Sequence, residues 1–400
     1  MDKGIITKIV WTLSLVSLCT DIASEMLYPV MPVFLRSIGF SVLLIGVLEG
    51  VAEATAGLSK GYFGKLSDIR GKRVPFVQFG YALSAISKPL LAVAIYPVWI
   101  FFCRTLDRLG KGIRTGARDA ILSAEATEKT KARIFGFHRA MDSAGAFLGP
   151  SLALVYLYYY PGGYRSLFLI AFIPGCAAVI LTLLLKESTR PLDSGPKDSG
   201  LLRSNKTHFF SFLKYWNQAP ASYRKLVAGL LFFALINSSD VFLLLKIKDS
   251  GLSDPAVIGV YIFYNLIYAV VAYPAGALAD QWGLKNTLAL GLLVFAIVYG
   301  GMAVEGGWWW YGFLFFLYAI YAACTESIAK AWIANISHEK DVATAIGTYT
   351  AFQSICTLFA SVLAGWIWYT WGGAALFLTT GILALGVAIY FVQLKVAKQS

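Results

Sequence analysis

Asp21 and Glu25 stand four residues apart inside a long apolar run. On a helix that spacing puts both carboxylates on one face, one turn apart. Two close carboxylates resist ionising together, so such a pair can take up and release a proton. The alternative chemistry is permanent pairing with an arginine from elsewhere. A second apolar run offers such arginines: Arg104, Arg108, Lys111, Arg114 and Arg118, with Asp107 and Asp119 among them. Arg104, Arg108, Lys111 and Arg118 project from roughly one side at helical spacing. Arg104 and Arg108 lie deepest. They can meet Asp21 and Glu25, or clamp an anionic group, which the planar guanidinium suits. Further ionisable groups within apolar runs are Glu49, Glu53, Lys88, His138, Arg139, Asp142, Asp240, Glu326 and Lys330. Glu326 and Lys330 are i, i+4 neighbours and read as satisfying each other.

The elements that position these groups are of membrane length. The chain has 400 residues, 58% hydrophobic and 14% charged, against about 25% charged in a soluble domain. Apolar runs fall at 9–35, 41–63, 75–95, 98–122, 133–158, 164–186, 224–246, 255–277, 286–304, 308–335, 342–368 and 372–394. Each is long enough to cross a bilayer as a helix, and none alternates as barrel strands do. The first run has no cleavage pattern after it and reads as a mature helix. An ionisable side chain in such a run is costly unless it faces protein or water, so each one is a functional candidate by default. Cys19, Cys103, Cys176, Cys324 and Cys356 all lie within apolar runs with no CxxC spacing, and read as packing residues. The three histidines are too scattered for a metal site. No cofactor is expected.

The net charge of +12 is distributed as in a membrane protein, not a nucleic-acid binder. With the N-terminus assigned to the cytoplasm, one side collects Lys3, Lys8, Lys65, Arg70, Lys72, Arg73, Lys129, Lys131, Arg133, the stretch from Lys186 to Lys225, Lys285, Lys340, Lys395 and Lys398. The opposite side holds Arg36, Arg165, Lys246 and Lys248. By the positive-inside rule both termini are cytoplasmic. Tyr158-Tyr159-Tyr160 and Trp308-Trp309-Trp310-Tyr311 fall at the outer interface, as aromatic belts do.

One phrase occurs twice. Gly64-Lys65-Leu66-Ser67-Asp68-Ile69-Arg70-Gly71-Lys72-Arg73 and Gly276-Ala277-Leu278-Ala279-Asp280-Gln281-Trp282-Gly283-Leu284-Lys285 both read G-x-L-[SA]-D-x-x-G-x-[RK]. Each joins two apolar runs by a charged, glycine-hinged turn. Gly136 and Gly347 recur at matching depth in the two halves. Residues 187–222 break the apolar pattern with Ser, Pro, Gly and charge and divide the chain into 1–186, a cytoplasmic linker, and 223–400. Within the linker, Phe209, Phe212, Leu213 and Trp216 share one face at helical spacing. This suggests a short amphipathic helix on the inner membrane surface, with Lys206 and Lys214 towards head groups; a partly ordered loop is the other reading.

Twelve spans, a central linker and the twin turns resemble the major facilitator superfamily, whose motif A is this turn. The resemblance covers essentially the whole chain. Gly136, Gly145, Gly149 and Pro150 are similar to the superfamily's fifth-helix antiporter motif, though its closing glycine pair is replaced from Ser151 onward. Arg104 is similar to its motif B arginine, with Asp107 and Arg108 departing from that pattern. The resemblance implies an all-α integral membrane protein with twelve transmembrane helices in two pseudo-symmetric six-helix bundles, a monomer in the plasma (bacterial inner) membrane. It implies a secondary transporter of a small organic molecule, with export by proton antiport as the first reading and proton-coupled uptake of an organic anion as the alternative. The expected proton carriers are Asp21 and Glu25. The expected substrate contacts are Arg104, Arg108, Glu49, Glu53, Asp240, Tyr264 and Tyr318. The expected gate comprises Gly64, Asp68, Gly71, Arg73, Arg114, Arg118, Asp119, Gly276, Asp280 and Gly283, with Asp68 meeting Arg114 or Arg118 and the start of the eleventh span near Thr344 to Gly347.

Catalysis is not expected. Gly57-Leu58-Ser59-Lys60-Gly61 matches G-x-S-x-G but lies in an apolar run without the strand-turn-helix setting that pattern needs. Gly110-Lys111-Gly112-Ile113-Arg114-Thr115-Gly116 misses the dinucleotide spacing by one residue, and no Walker A sequence occurs. A receptor without transport is the remaining class, and flux in proteoliposomes discriminates it. The carboxylate pair gives a direct expectation: Asp21→Asn with Glu25→Gln abolishes proton-driven accumulation while the protein still folds. Accumulation at the native level in the double variant would remove these residues from coupling.

Overall fold

A computed structural model describes residues 6–28, 30–31, 34–35, 38–40, 42–187, 209–237, 240–252 and 254–394. Among the described residues there is helix and no strand. The longer helices are α1 (Lys8–Glu25), α2 (Val42–Arg70), α3 (Val74–Val93), α4 (Pro97–Ala124), α5 (Lys131–Tyr159), α6 (Tyr164–Thr182), α7 (Ala221–Ile236), α8 (Val241–Asp249), α9 (Asp254–Trp282), α10 (Leu284–Met302), α11 (Trp308–Ile336) and α12 (Val342–Gln393). Seven helical stretches among the described residues are long and apolar enough to cross a membrane by length and composition. Their outward residues, such as Ile173, Ile180, Leu183, Val362 and Ile382, are exposed apolar groups suited to lipid.

Local sequence explains where helices stop. Pro97 opens α4 at a position where a missing N–H costs nothing. Gly372, with φ +84°, breaks α12 and separates the runs read at 342–368 and 372–394. The seventh apolar run, read as one span over 224–246, is not one helix. It divides into α7 and α8 around Asn237 and Asp240. A discontinuous membrane helix leaves backbone polar groups unpaired at depth, tolerated only where protein or water satisfies them.

The chain forms two compact units whose composition interleaves with chain order. Unit 1 holds 1–125, 148–220 and 333–352; unit 2 holds 126–147, 221–332 and 353–400. In unit 1, α4 packs on α2 and α3, and α6 packs on α1 and α3. An apolar core gathers Met26, Leu27, Phe34, Leu167 and Phe168, with the Phe34 and Phe168 rings edge-on at 5.0 Å. In unit 2 the core is aromatic: Phe295 stacks on Tyr299 at 4.0 Å and meets Phe233 edge-on at 5.0 Å.

The end of the linker belongs to unit 1. Phe209–Lys214 forms a 3₁₀ turn that continues into a short helix, Tyr215–Gln218. Its apolar face meets protein. Phe212 is buried over Gly61 of α2, where an added Cβ would stand 2.6 Å from the ring. Trp216 packs edge-on against Phe352 of α12 at 5.9 Å. Residues 188–208 of the linker, including Lys206, lie outside the described residues.

Phe212→Ala removes a buried ring from this seat and is expected to cost about 3–5 kcal/mol. Leu213→Ala, on the exposed side, should stay within about 0.5 kcal/mol. Thermal unfolding of the purified variants measures the difference; equal midpoints would show that the turn is not anchored through Phe212.

Candidate functional site

The duplicated turn performs the same physical task twice. After α2, Gly71 adopts φ +62° and its N–H bonds the Asp68 carbonyl at 3.1 Å. After α9, Gly283 adopts φ +100° with its N–H on Ala279 O at 2.9 Å. Both are left-handed positions that favour glycine. The aspartate three residues earlier then points away from its own turn. Within unit 1, Asp68 Oδ2 accepts from the Thr344 N–H at 2.7 Å and from the Thr344 hydroxyl at 2.8 Å, at the start of α12. Within unit 2, Asp280 Oδ1 accepts from the Ala132 N–H at 3.1 Å and Oδ2 from the Arg133 N–H at 3.0 Å, at the start of α5. Each carboxylate caps a helix from the other half of the sequence, satisfying orphan N–H groups and the positive end of the dipole.

The leading glycine of each phrase permits this approach. A Cβ on Gly64 would stand 2.5 Å from the Ala343 carbonyl oxygen, and one on Gly276 would collide with that of Ala132. Asp68 lies beyond the apolar run at 41–63. Burial pushes its carboxyl up to about 6, against the Arg73 guanidinium and the Thr344 hydrogen bonds, which pull it down. Arg73 Nη2 reaches Asp68 Oδ1 at 3.2 Å and also donates to Glu339 O at 3.0 Å. The partners expected for Asp68 in α4 are placed elsewhere: Arg118 bonds Asp119 at 2.9 Å, and Arg114 lies over the Tyr81 ring at 4.4 Å. A third capping carboxylate was not read from the sequence. Glu187 accepts from the N–H groups of Arg73 at 2.7 Å and Val74 at 3.1 Å, closing the start of α3. The available signal was that α3 opens on Arg73-Val74-Pro75 without a capping side chain of its own.

Other charges of unit 1 are engaged within the protein. Lys88 Nζ stands 2.6 Å from Asp107 Oδ1 and 3.2 Å from the Ser24 hydroxyl of α1, and Ser84 donates to the same Asp107 oxygen. Lys88 and Asp107 are both buried. Arg108 Nη2 meets Glu53 at 3.2 Å. Arg104 is buried in the same helix, while Asp21 and Glu25 are half-buried on α1. Glu49 lies in α2, and its side chain is outside the described residues. Gly149 lets α5 approach α1, since a Cβ there would stand 2.7 Å from Met26 N; Pro150 follows it within the helix. Gly136 brings α5 against the backbone of α9.

Unit 2 gathers a mixed polar cluster. Arg139 Nη2 meets Glu326 at 2.6 Å, Nε donates to the Tyr268 hydroxyl at 2.8 Å, and the guanidinium lies over that ring at 4.9 Å. Glu326 therefore takes a guanidinium from α5, where sequence spacing pointed to Lys330. His138 stands 3.6 Å from Asp142. Asp240 accepts from the Tyr318 hydroxyl at 2.7 Å, and Tyr318 packs on Tyr264 at 5.4 Å.

A helical membrane protein with a duplicated helix-capping turn and charge buried at membrane depth has the build of a secondary transporter. The family description "Major Facilitator Superfamily" matches residues 13–266 and 241–399, and the chain belongs to that superfamily. It is 32% identical over 369 residues to an uncharacterised MFS-type transporter of Methanocaldococcus jannaschii, covering 91% of this chain and 89% of that one. Its fold is similar to that of the human organic anion transporter MFSD10, at TM-score 0.77 and 17% identity over 98% of this chain and 100% of that one. It is also similar in fold to the E. coli fucose:proton symporter FucP, at TM-score 0.72 and 14% identity over 96% and 97%. The protein is an integral membrane transporter of the superfamily, a family of transport rather than catalysis.

The Lys88–Asp107 pair yields a stability test. Lys88→Met leaves a buried carboxylate uncompensated and should cost about 3–5 kcal/mol, whereas Lys88→Met with Asp107→Leu should recover most of that loss. Melting of the two purified variants decides it. A double variant no more stable than the single would mean that the pair is not a self-contained unit.

Proposed function

We propose that this transporter works by alternating access and exports a small organic molecule in exchange for protons across the plasma (bacterial inner) membrane, with both termini cytoplasmic. The observation that carries the reading is the twin cap, Asp68 on α12 and Asp280 on α5. Each contact ties the end of one helix to the start of a helix from the other sequence half, on the side that the positive-inside rule assigns to the cytoplasm. A contact made of a carboxylate and backbone N–H groups is strong when dry and breaks without rearranging side-chain packing on the helix that it caps. That suits a cytoplasmic gate. Asp21 and Glu25 are the first proposed carriers of the driving proton, and Glu53, Arg104 and Arg108 the proposed substrate contacts, with Glu49 four residues before Glu53 in α2.

The second reading is proton-coupled uptake of an organic anion. The observation that favours it is the basic stripe of α4. Against it, Arg108 is already engaged by Glu53 and the neighbouring Asp107 by Lys88, which leaves less free positive charge for an anion. MFSD10, which shares the fold at 17% identity, is an organic anion transporter.

Asp68→Asn should raise labelling of a single cysteine placed on the cytoplasmic side by about tenfold, the effect of losing one charge-assisted hydrogen bond. Asp280→Asn should do about the same, because its contact is built alike. Flux of a screened compound library into or out of proteoliposomes under an imposed pH gradient then assigns direction. Unchanged labelling in both variants would remove the gate; flux indifferent to the gradient would remove proton coupling.

A further inference from the structure

The discontinuity between α7 and α8 presents a carboxylate at membrane depth without a cationic partner. Asp240 immediately precedes α8, yet its side chain does not cap that helix. It turns instead to the Tyr318 hydroxyl of α11 at 2.7 Å. The neighbouring Asn237 is held the same way, donating to the Tyr321 hydroxyl at 3.1 Å. Among the described residues Asp240 makes no ion pair.

The charges around it are committed. From α5, Arg139 is held by Glu326 at 2.6 Å and stands 3.9 Å from Asp142, and His138 faces Asp142 at 3.6 Å. From α11 come Glu326 and the hydroxyls of Tyr318 and Tyr321. From α9 come Tyr264 and Tyr268, and from α10 Tyr299. The cation that acts on Asp240, Arg139, is already shared by Glu326 and Asp142, and Glu326 adds a like charge. A carboxylate so placed in an apolar setting is favoured by taking up a positive charge.

The aromatic surroundings limit what that charge can be. Tyr318 and Tyr264 are buried and lie 5.4 Å apart, Tyr318 packs on Tyr321 at 5.2 Å, and Phe315 stands edge-on to Tyr264 at 6.2 Å. The rings are buried and pack tilted and edge-on against one another, a setting tight enough to favour a small cation over an organic ammonium. The occupant that fits is the smallest cation. We propose that Asp240, at the break between α7 and α8, is a proton-binding site of the second unit, loaded and unloaded during transport and held by Tyr318. Its use in transport rests on the proton-coupled reading above. The O–H bond to Asp240 forms with a proton from solvent and breaks by returning it, so nothing is oxidised or reduced.

The test uses full-length protein in lipid nanodiscs and needs no substrate. Infrared difference spectra across a pH titration should show a carboxylic acid C=O band that Asp240→Asn deletes. Tyr318→Phe should move the midpoint of that band, tightening proton binding about tenfold through loss of a hydrogen bond to the carboxylate. In parallel, labelling of a single cytoplasmic-side cysteine should depend on pH in the native protein and in Asp240→Glu, and become independent of pH in Asp240→Asn. Spectra of native protein and Asp240→Asn that superimpose overturn the site. If native labelling still titrates in that case, proton coupling survives and resides elsewhere, with Asp21 and Glu25 next in line. A band that is present while native labelling is flat with pH overturns both the role in transport and the proton-coupled reading. Labelling that responds to sodium at fixed pH, and not to pH, also overturns the proposal. Should Asp240→Asn fail to fold, Tyr318→Phe decides alone, and an unmoved midpoint counts against the site.

Discussion

An α-helix begins with N–H groups that its own backbone cannot bond, and this protein closes three such starts with carboxylates distant in sequence. Glu187 closes α3, Asp280 closes α5 and Asp68 closes α12. Much of the surrounding architecture follows from that requirement. A short aspartate reaches a neighbouring helix start only if backbones nearly touch, which demands Gly64 and Gly276. It points outward only if the helix carrying it stops cleanly, which Gly71 and Gly283 achieve at positive φ. The repeated phrase is thus a mechanical part in which each fixed residue serves one geometric condition.

The same economy governs charge at depth. Lys88 with Asp107, Arg108 with Glu53, and Arg139 with Glu326 join different helices. A membrane-embedded ion survives when a partner compensates its desolvation, so such pairs dictate which helix faces turn inward. Helix α4 shows this well: its small residues and its charges are buried together, with Gly110, Gly112 and Gly116 beside Arg108, Arg114 and Arg118. Arg114 completes the pattern with a π face in place of a carboxylate.

Fold class was legible in the sequence because hydropathy and the positive-inside bias are one-dimensional signals. The repeated turn was legible for the same reason. What the sequence hid were relations across space. Lys88 and Asp107 are nineteen residues apart on different helices, and no periodicity links them. Glu326 has a lysine at helical spacing, but its 2.6 Å partner Arg139 comes from another helix and no local spacing points to it. The seventh run looked continuous because apolar residues flank Asn237-Ser238-Ser239-Asp240 on both sides. The polar residues Asn237 and Asp240, which stand at the end of α7 and the start of α8, were the signal available in the sequence. Helical spacing put Phe209, Phe212, Leu213 and Trp216 on one apolar face; Phe212 and Trp216 meet protein while Leu213 is exposed, and spacing alone does not state what a face meets.

Because Asp68 and Asp280 bind main-chain N–H groups, these hydrogen bonds themselves ask for no particular side chain at the capped helix start, the Thr344 hydroxyl aside. The surroundings still limit those positions: Ala132 is fully buried, Arg133 Nε stands 3.9 Å from Asp280 Oδ2, and proline is excluded because it lacks the hydrogen. The bond is therefore specified by residue identity on the acid's side and by space on the other. Methods that infer proximity from paired substitutions would read the backbone part of these joints weakly. The acid would stand out as intolerant of change, while the helix start opposite it would be held to small or fitting residues by burial.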